Sequence, residues 1–203
     1  MKKTFTLLLA THNKDKLTEL IFLLDDPKIR ILSMDDFPGV PEVVEDKDTI
    51  EGNACKKALE TAQATGIICL ADDTGLFIEA LDGAPGVYSA RYAGENCSYR
   101  DNRLKTLELL KDEPNRSAEF RTAAVLAAPD GIISLKLGRV QGKISNIERG
   151  DNGFGYDSIF ELEELGKTYA ELDGKTKNTL SHRALAIQAI LPVIRRLTIL
   201  HSS

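Results

Sequence analysis

Residues 4–10, Thr-Phe-Thr-Leu-Leu-Leu-Ala, form an apolar run that gives way at once to Thr11-His12-Asn13-Lys14. A run of this length without strict alternation has the pattern of a β-strand buried on both faces, as in parallel sheets. Lys14 to Asp25 then places Leu17, Leu20, Ile21 and Leu24 on one helical stripe. Ile29–Leu32 reads as a strand returning to the sheet. The chain therefore opens as a βαβ unit, whose crossover is right-handed for steric reasons. The same apolar stretch, after Met1-Lys2-Lys3, superficially suits a secretion signal, but it is too brief. No other segment has the length and apolarity of a membrane span. A cytoplasmic protein with no membrane partner is expected.

Downstream, Asp48-Thr49-Ile50-Glu51 looks like a capping box that opens a helix through Ala64, with Gly66 closing it. Ile67–Ala71 is then a second buried strand. Asp72 and Asp73 are thereby predicted at a strand's carboxyl end, where open α/β sheets place ligands. A helix is predicted from Ser98 to Lys111, with Leu104, Leu107 and Leu110 on one face. Ala118–Ala128 and Ile132–Val140, joined by Pro129-Asp130-Gly131, carry a hairpin signal. The last helix is predicted to start near Ser181 and to be kinked or ended early by Pro192. The fold class is α/β, a mixed central sheet flanked by helices. With no separable linker, residues 1–203 read as a single domain.

Charge narrows the function. The net charge is −5, and no basic run is long enough to hold a nucleic-acid backbone by counterion release. An acidic protein that binds a polyanion needs a local cation cluster, a metal ion, or both. Cys55, Cys69 and Cys97 lack metal-ligand spacing and read as reduced thiols.

Four stretches have chemistry in reach. Thr11-His12-Asn13-Lys14-Asp15-Lys16 lies between a buried strand and a helix. Helix N-terminal N–H groups favour anions, and lysines add charge there. It lacks the glycines of a P-loop, and an Asn-capped turn with solvated lysines accounts for it equally well. Glu45, Asp72 and Asp73 form an acidic set suited to magnesium, which prefers a few carboxylates plus substrate phosphates. Strand alternation would point Asp72 and Asp73 to opposite faces, so one would meet the metal and the other would be structural. A plain β-turn is the competing reading. Gly153-Phe154-Gly155-Tyr156-Asp157 offers close backbone approach, two aromatic faces and a carboxylate, or is simply a glycine-rich loop over the core. Lys177, with Ser181-His182-Arg183 a few residues on, either reaches a ligand or forms a capped helix start.

In order and spacing these stretches resemble the inosine triphosphate pyrophosphatase family, the Ham1/RdgB-like dITP/XTP pyrophosphatases. The matching segments are Ala10–Lys16, Val43–Asp46, Asn53–Ala58, Ala71–Leu76, Gly83–Gly94, Gly153–Asp157 and Ser181–Arg183. The resemblance implies an elongated two-lobed ITPase-like (Maf/Ham1) fold with a nucleotide cleft between the lobes. It also implies a homodimer and a magnesium-dependent enzyme that cleaves purine nucleoside triphosphates to the monophosphate and pyrophosphate. On motif position, Thr11, His12, Asn13, Lys14, Asp15 and Lys16 would hold the triphosphate. Glu45 and Asp73 would bind Mg2+, with Asp73 also the general base and Thr74 near the substrate. Phe154, Gly155, Tyr156, Asp157, Lys177, His182 and Arg183 would enclose and read the base. The chain departs from many relatives at Ile50 (Phe) and Gly52 (Glu), which leaves Glu51 as an alternative to Glu45. Two other readings are a Maf-type pyrimidine nucleotide pyrophosphatase and a nucleotide-binding module without turnover.

Overall fold

The computed structural model describes residues 4–202, with side chains to residue 200. The predicted opening is present. Strand β1 (Phe5–Leu9), helix α1 (Lys14–Leu23) and strand β2 (Ile29–Ser33) form the βαβ unit, with β1 and β2 parallel and in register from Phe5↔Ile29 to Leu9↔Ser33. Leu7, Leu8 and Leu9 are completely buried, which accounts for the unalternated sequence of β1.

Helix α2 (Ile50–Thr65) ends where expected, at Gly66 with φ +71, a left-handed cap that costs glycine nothing. Its start lies one residue beyond the anticipated Asp48/Glu51 capping box, with Thr49 as the cap. Thr49 accepts from the Gly52 N–H, and Gly52 has no side chain to answer back. Strand β3 (Cys69–Ile78) runs on past Asp72 and Asp73, which therefore lie mid-strand and not at its end. Asp-Asp-Thr-Gly also spells a turn, so local pattern alone ends this strand at Ala71. The short strand β4 (Pro85–Gly86) pairs antiparallel with Leu76 and Phe77 and keeps the second half of β3 extended. The parallel pairing of β1 with β3 nevertheless ends at Leu9↔Leu70. Both aspartates thus stand beyond the carboxyl end of β1, where such sheets carry ligands.

Helix α3 (Tyr99–Leu109) is capped by Ser98 and Asp101 in a reciprocal box. Its inward stripe is Asn102, Thr106 and Leu110, whereas Leu104 is exposed, so the predicted leucine face is rotated. Strands β5 (Ser117–Ala128) and β6 (Gly131–Ile144) form the hairpin on the two-residue turn Pro129-Asp130. Strands β7 (Phe160–Leu162) and β8 (Lys167–Thr168) follow. Together they make an eight-stranded mixed sheet of order β2-β1-β3-β5-β6-β7-β8, with β4 beside β3. Helix α4 (Gly174–Leu180) was not anticipated, and α5 (His182–Ser202) starts directly after Ser181. Pro192 does not end α5. The carbonyl it leaves without a helical donor is that of Gln188, and both residues lie on the exposed side of the helix, where solvent can serve the group.

The chain divides into two compact units. The first comprises the chain up to Asp73, Thr122–Gly138, and Arg183 onward. Its core packs Leu7, Leu9 and Leu70 against Leu20 of α1 and Ile187 and Ile190 of α5. The second comprises Thr74–Arg121 and Arg139–His182, and its core gathers Leu76, Phe120, Ile159, Phe160 and Tyr169. Each such buried side chain contributes about 1.5–3 kcal/mol. Cys55, Cys69 and Cys97 are free thiols, and burial pushes that of Cys69 up to about 12. Among the described residues, no helix is long and apolar enough to cross a membrane.

Candidate functional site

In the first unit, charges gather around Asp72 and Asp73. Alternation along β3 separates the two carboxylates, as the sequence predicted. Asp72 Oδ2 lies 3.3 Å from Lys16 Nζ and 3.1 Å from Arg183 Nε, while Arg183 Nη1 also donates to Glu19. Asp72 and Arg183 are 1% and 2% exposed. Burial disfavours the charge on Asp72, but Lys16 and Arg183 outweigh it and hold the carboxyl well below its usual range. Burial lowers Lys16, with Asp72 opposing.

Asp73 faces a different cation. Lys57 Nζ lies 3.6 Å from Asp73 Oδ1 and donates to Glu45 Oε1 over 2.5 Å. Oxygens from both carboxylates thus converge on one positively charged nitrogen. Burial is the largest influence on Asp73 and raises its carboxyl, with Glu45 and Asp72 adding to the rise and Lys57 and Lys16 opposing it. On Lys57 burial works against the charge, but Asp73 and Glu45 prevail and raise it.

Lys57 was missed by the sequence reading, although a signal existed. It lies one turn after buried Asn53 and one turn before buried Thr61, a lysine on an otherwise inward stripe of α2. Two hard oxygen donors around a cation suit magnesium, which takes one or two carboxylates and completes its shell with water and phosphate. Among the described residues, no group of three or more acidic, His or Cys side chains is placed to hold a metal ion together. Glu45, not Glu51, is the carboxylate on Lys57. A Cβ at position 52 would come within 2.9 Å of Lys47 Cβ, so the segment before α2 passes close over this glycine.

The Thr11–Lys16 stretch forms the turn into α1. Asn13 is the N-cap, its Oδ1 accepting from the N–H groups of Asp15 and Lys16, and Thr11 Oγ1 accepts from the Asn13 N–H. His12, Lys14 and Asp15 are exposed, and Thr11 and Lys16 half-buried.

The second unit holds the other predicted residues. Asp157 Oδ2 accepts from the Phe154 N–H over 2.8 Å and from Lys177 Nζ over 2.5 Å. Lys177 is buried and stands 4.9 Å from the Phe154 ring centroid. Gly153 has φ +75, and a Cβ there would fall 2.1 Å from Asp157 Oδ2, so glycine is what lets this loop close on its carboxylate. Phe154 is half-buried, but Tyr156 is 5% exposed and donates to the Ser89 carbonyl, so its ring belongs to the core. The Gly155 carbonyl accepts from Arg103. Thr74 is half-buried at the start of this unit. His182 is buried and stacked on Phe120, centroids 4.4 Å apart. Arg183, the next residue, belongs to the Asp72 cluster of the first unit. The structure therefore parts a pair that the sequence reading had kept together.

The sequence profile of the Ham1 family matches residues 7–193. The chain belongs to the Ham1 family. Among its relatives is a dITP/XTP pyrophosphatase of Desulforamulus reducens, 45% identical over 195 residues, covering 95% of this chain and 97% of the relative. A dITP/XTP pyrophosphatase of Geobacter sulfurreducens is 48% identical over 183 residues, covering 89% and 92%. Among solved structures, a HAM1 protein from Coxiella burnetii superposes with a TM-score of 0.87 at 38% identity, covering 95% of this chain and all of that one. The α/β architecture described above is therefore the Ham1 fold.

Proposed function

We propose that this Ham1-family chain is a pyrophosphohydrolase of deaminated purine nucleoside triphosphates, releasing the monophosphate and pyrophosphate from ITP, dITP and XTP. One observation supports this reading above the others. Glu45 and Asp73 converge on a single ammonium, with the half-buried Lys16 on the neighbouring Asp72, in a chain 45–48% identical to proteins named dITP/XTP pyrophosphatases.

Glu45 and Asp73 are the residues that would hold magnesium, which when bound neutralises phosphate charge and makes phosphorus a better electrophile. Lys16 and Lys57 supply fixed positive charge for a polyanion that an acidic protein would otherwise repel. Asp73, its carboxyl raised by burial, accepts the proton of the water that attacks the α-phosphorus. The bond to the bridging oxygen breaks, and pyrophosphate leaves with that electron pair. Positioning and charge do the work, so no covalent enzyme intermediate is needed. Lys177, Asp157, Phe154 and His182 form the set assigned to the base. Donors there pair with a 6-oxo group and go unpaired against the 6-amino group of adenine, which supports strong discrimination. A homodimer and a cytoplasmic setting belong to the same proposal.

The test is pyrophosphate release from a panel of purine and pyrimidine triphosphates, with and without magnesium. Turnover of inosine and xanthosine triphosphates well above the rest, and only with metal, is the expected result. Preference for pyrimidines would point to Maf-type specificity, and binding without release would reduce the chain to a nucleotide-binding module.

A further inference from the structure

Glu45 does not sit on a regular element. Residues 41–47 have neither helical nor strand structure, and such a stretch cannot by itself hold a carboxylate in place. What fixes it comes from one face of α2. Lys56 Nζ donates to the Val44 carbonyl over 2.9 Å and to Asp46 Oδ2 over 2.8 Å, one residue on either side of Glu45. One turn earlier on α2, Asn53 Oδ1 accepts from the Lys47 N–H over 2.9 Å, and Asn53 is completely buried. Lys57 then meets the Glu45 carboxylate itself. Three residues within five positions of one helix thus grip four consecutive residues of the segment.

We infer that Lys56 is a positioning residue for Glu45. Its ammonium straddles the residue and fixes the backbone on both sides, so that the carboxylate is presented in one place. The inference rests on the reading of Glu45 as a magnesium ligand. An exposed Lys–Asp pair alone contributes little. Lys56 differs from such a pair because it also donates to a main-chain carbonyl, and because its side chain is only 18% exposed although Asp46 is 50% exposed. Partners that orient a metal ligand typically matter roughly 10- to 100-fold for metal affinity. Lys56 acts on the flanking backbone and not on the carboxylate, so about tenfold is the expected scale.

Lys56→Met keeps the aliphatic stem and removes the ammonium, and Lys56→Arg keeps a donor. Two measurements on the full chain decide the matter. The first is amide hydrogen exchange of residues 44–47 in metal-free protein, where Lys56→Met should speed exchange of the Lys47 amide and Lys56→Arg should largely restore it. The second is the magnesium concentration for half-maximal turnover, expected to rise about tenfold in Lys56→Met while turnover at saturating magnesium stays close to that of the parent chain. Unchanged exchange together with an unchanged magnesium requirement in Lys56→Met would overturn the inference. Glu45→Gln separates the two levels of argument. If it leaves the magnesium requirement unaltered, the assignment of Glu45 fails. If it raises that requirement while Lys56→Met does not, only the role of Lys56 fails.

Discussion

Arg183 Nε lies 3.1 Å from Asp72 Oδ2, and neither side chain is more than 3% exposed. Lys16 Nζ approaches the same oxygen, and Glu19 takes another arm of the guanidinium. The cluster sets two cations against two carboxylates, so each charge removed from water has a partner. It also ties together the start of α1, the start of α5 and the middle of β3 at the residue before Asp73.

Breaking that cluster should cost stability. Arg183→Ala leaves the Asp72 carboxylate buried with Lys16 as its remaining cation, and losing one partner of a buried pair costs about 3–5 kcal/mol. Chemical denaturation measures it. Asp72 is held below its usual range, so its contribution is intact above the unfolded carboxyl pKa and drains away as pH falls towards the folded value. The loss in Arg183→Ala should therefore be full at neutral pH and shrink in acid.

The same geometry predicts how Lys16 and Arg183 variants fail as enzymes. Both residues meet on Asp72, so Lys16→Ala and Arg183→Ala should each lower kcat/KM for inosine, xanthosine and guanosine triphosphates by similar factors. The ratio of kcat/KM between inosine and adenosine triphosphates should stay nearly constant. A fall of tenfold or more in that ratio for Arg183→Ala would return Arg183 to the base-reading role first assigned to it from sequence.

Asp73→Asn should lower turnover by several orders of magnitude, since it removes a proton acceptor and weakens a metal ligand together. Steady-state pyrophosphate release checks this. Near-normal turnover in Asp73→Asn would remove the proposed mechanism.

Lys57→Met takes away the cation between Glu45 and Asp73. The metal-free protein should lose stability as the two carboxylates confront each other. Magnesium should then raise the melting temperature of Lys57→Met more than that of the parent chain, because it replaces the missing charge. Thermal melts with and without magnesium give the comparison, and an equal rise in both would mean that the carboxylates do not share a cation.

Gly153→Ala should destabilise the second unit by more than about 1 kcal/mol, because alanine is strained at positive φ. Its Cβ would also displace the Asp157 carboxylate from Phe154 and Lys177. If these residues read the base, KM for inosine triphosphate should rise in Gly153→Ala.

The sequence alone determined what depends on near neighbours in the chain. An unalternated apolar run gave β1, a helical stripe gave α1, Gly66 ended α2, and Pro129-Asp130-Gly131 turned the β5–β6 hairpin. The order of the motifs was sufficient to indicate the Ham1 family, because that order is itself a property of the sequence. Tertiary structure decided which charges meet. Arg183 and Asp72 are 111 residues apart, and no periodicity in either segment reports on the other. His182 and Arg183 are adjacent, yet one stacks on Phe120 and the other pairs with Asp72. The inward stripe of α2 marks Lys57 as unusual, but its partners Glu45 and Asp73 are fixed only by the packing of α2 beside β3 and the segment before it. The physical reason is one of range. Strand and helix patterns arise from bonds and burial repeating every few residues, whereas an ion pair is fixed by where the packed core leaves two distant side chains.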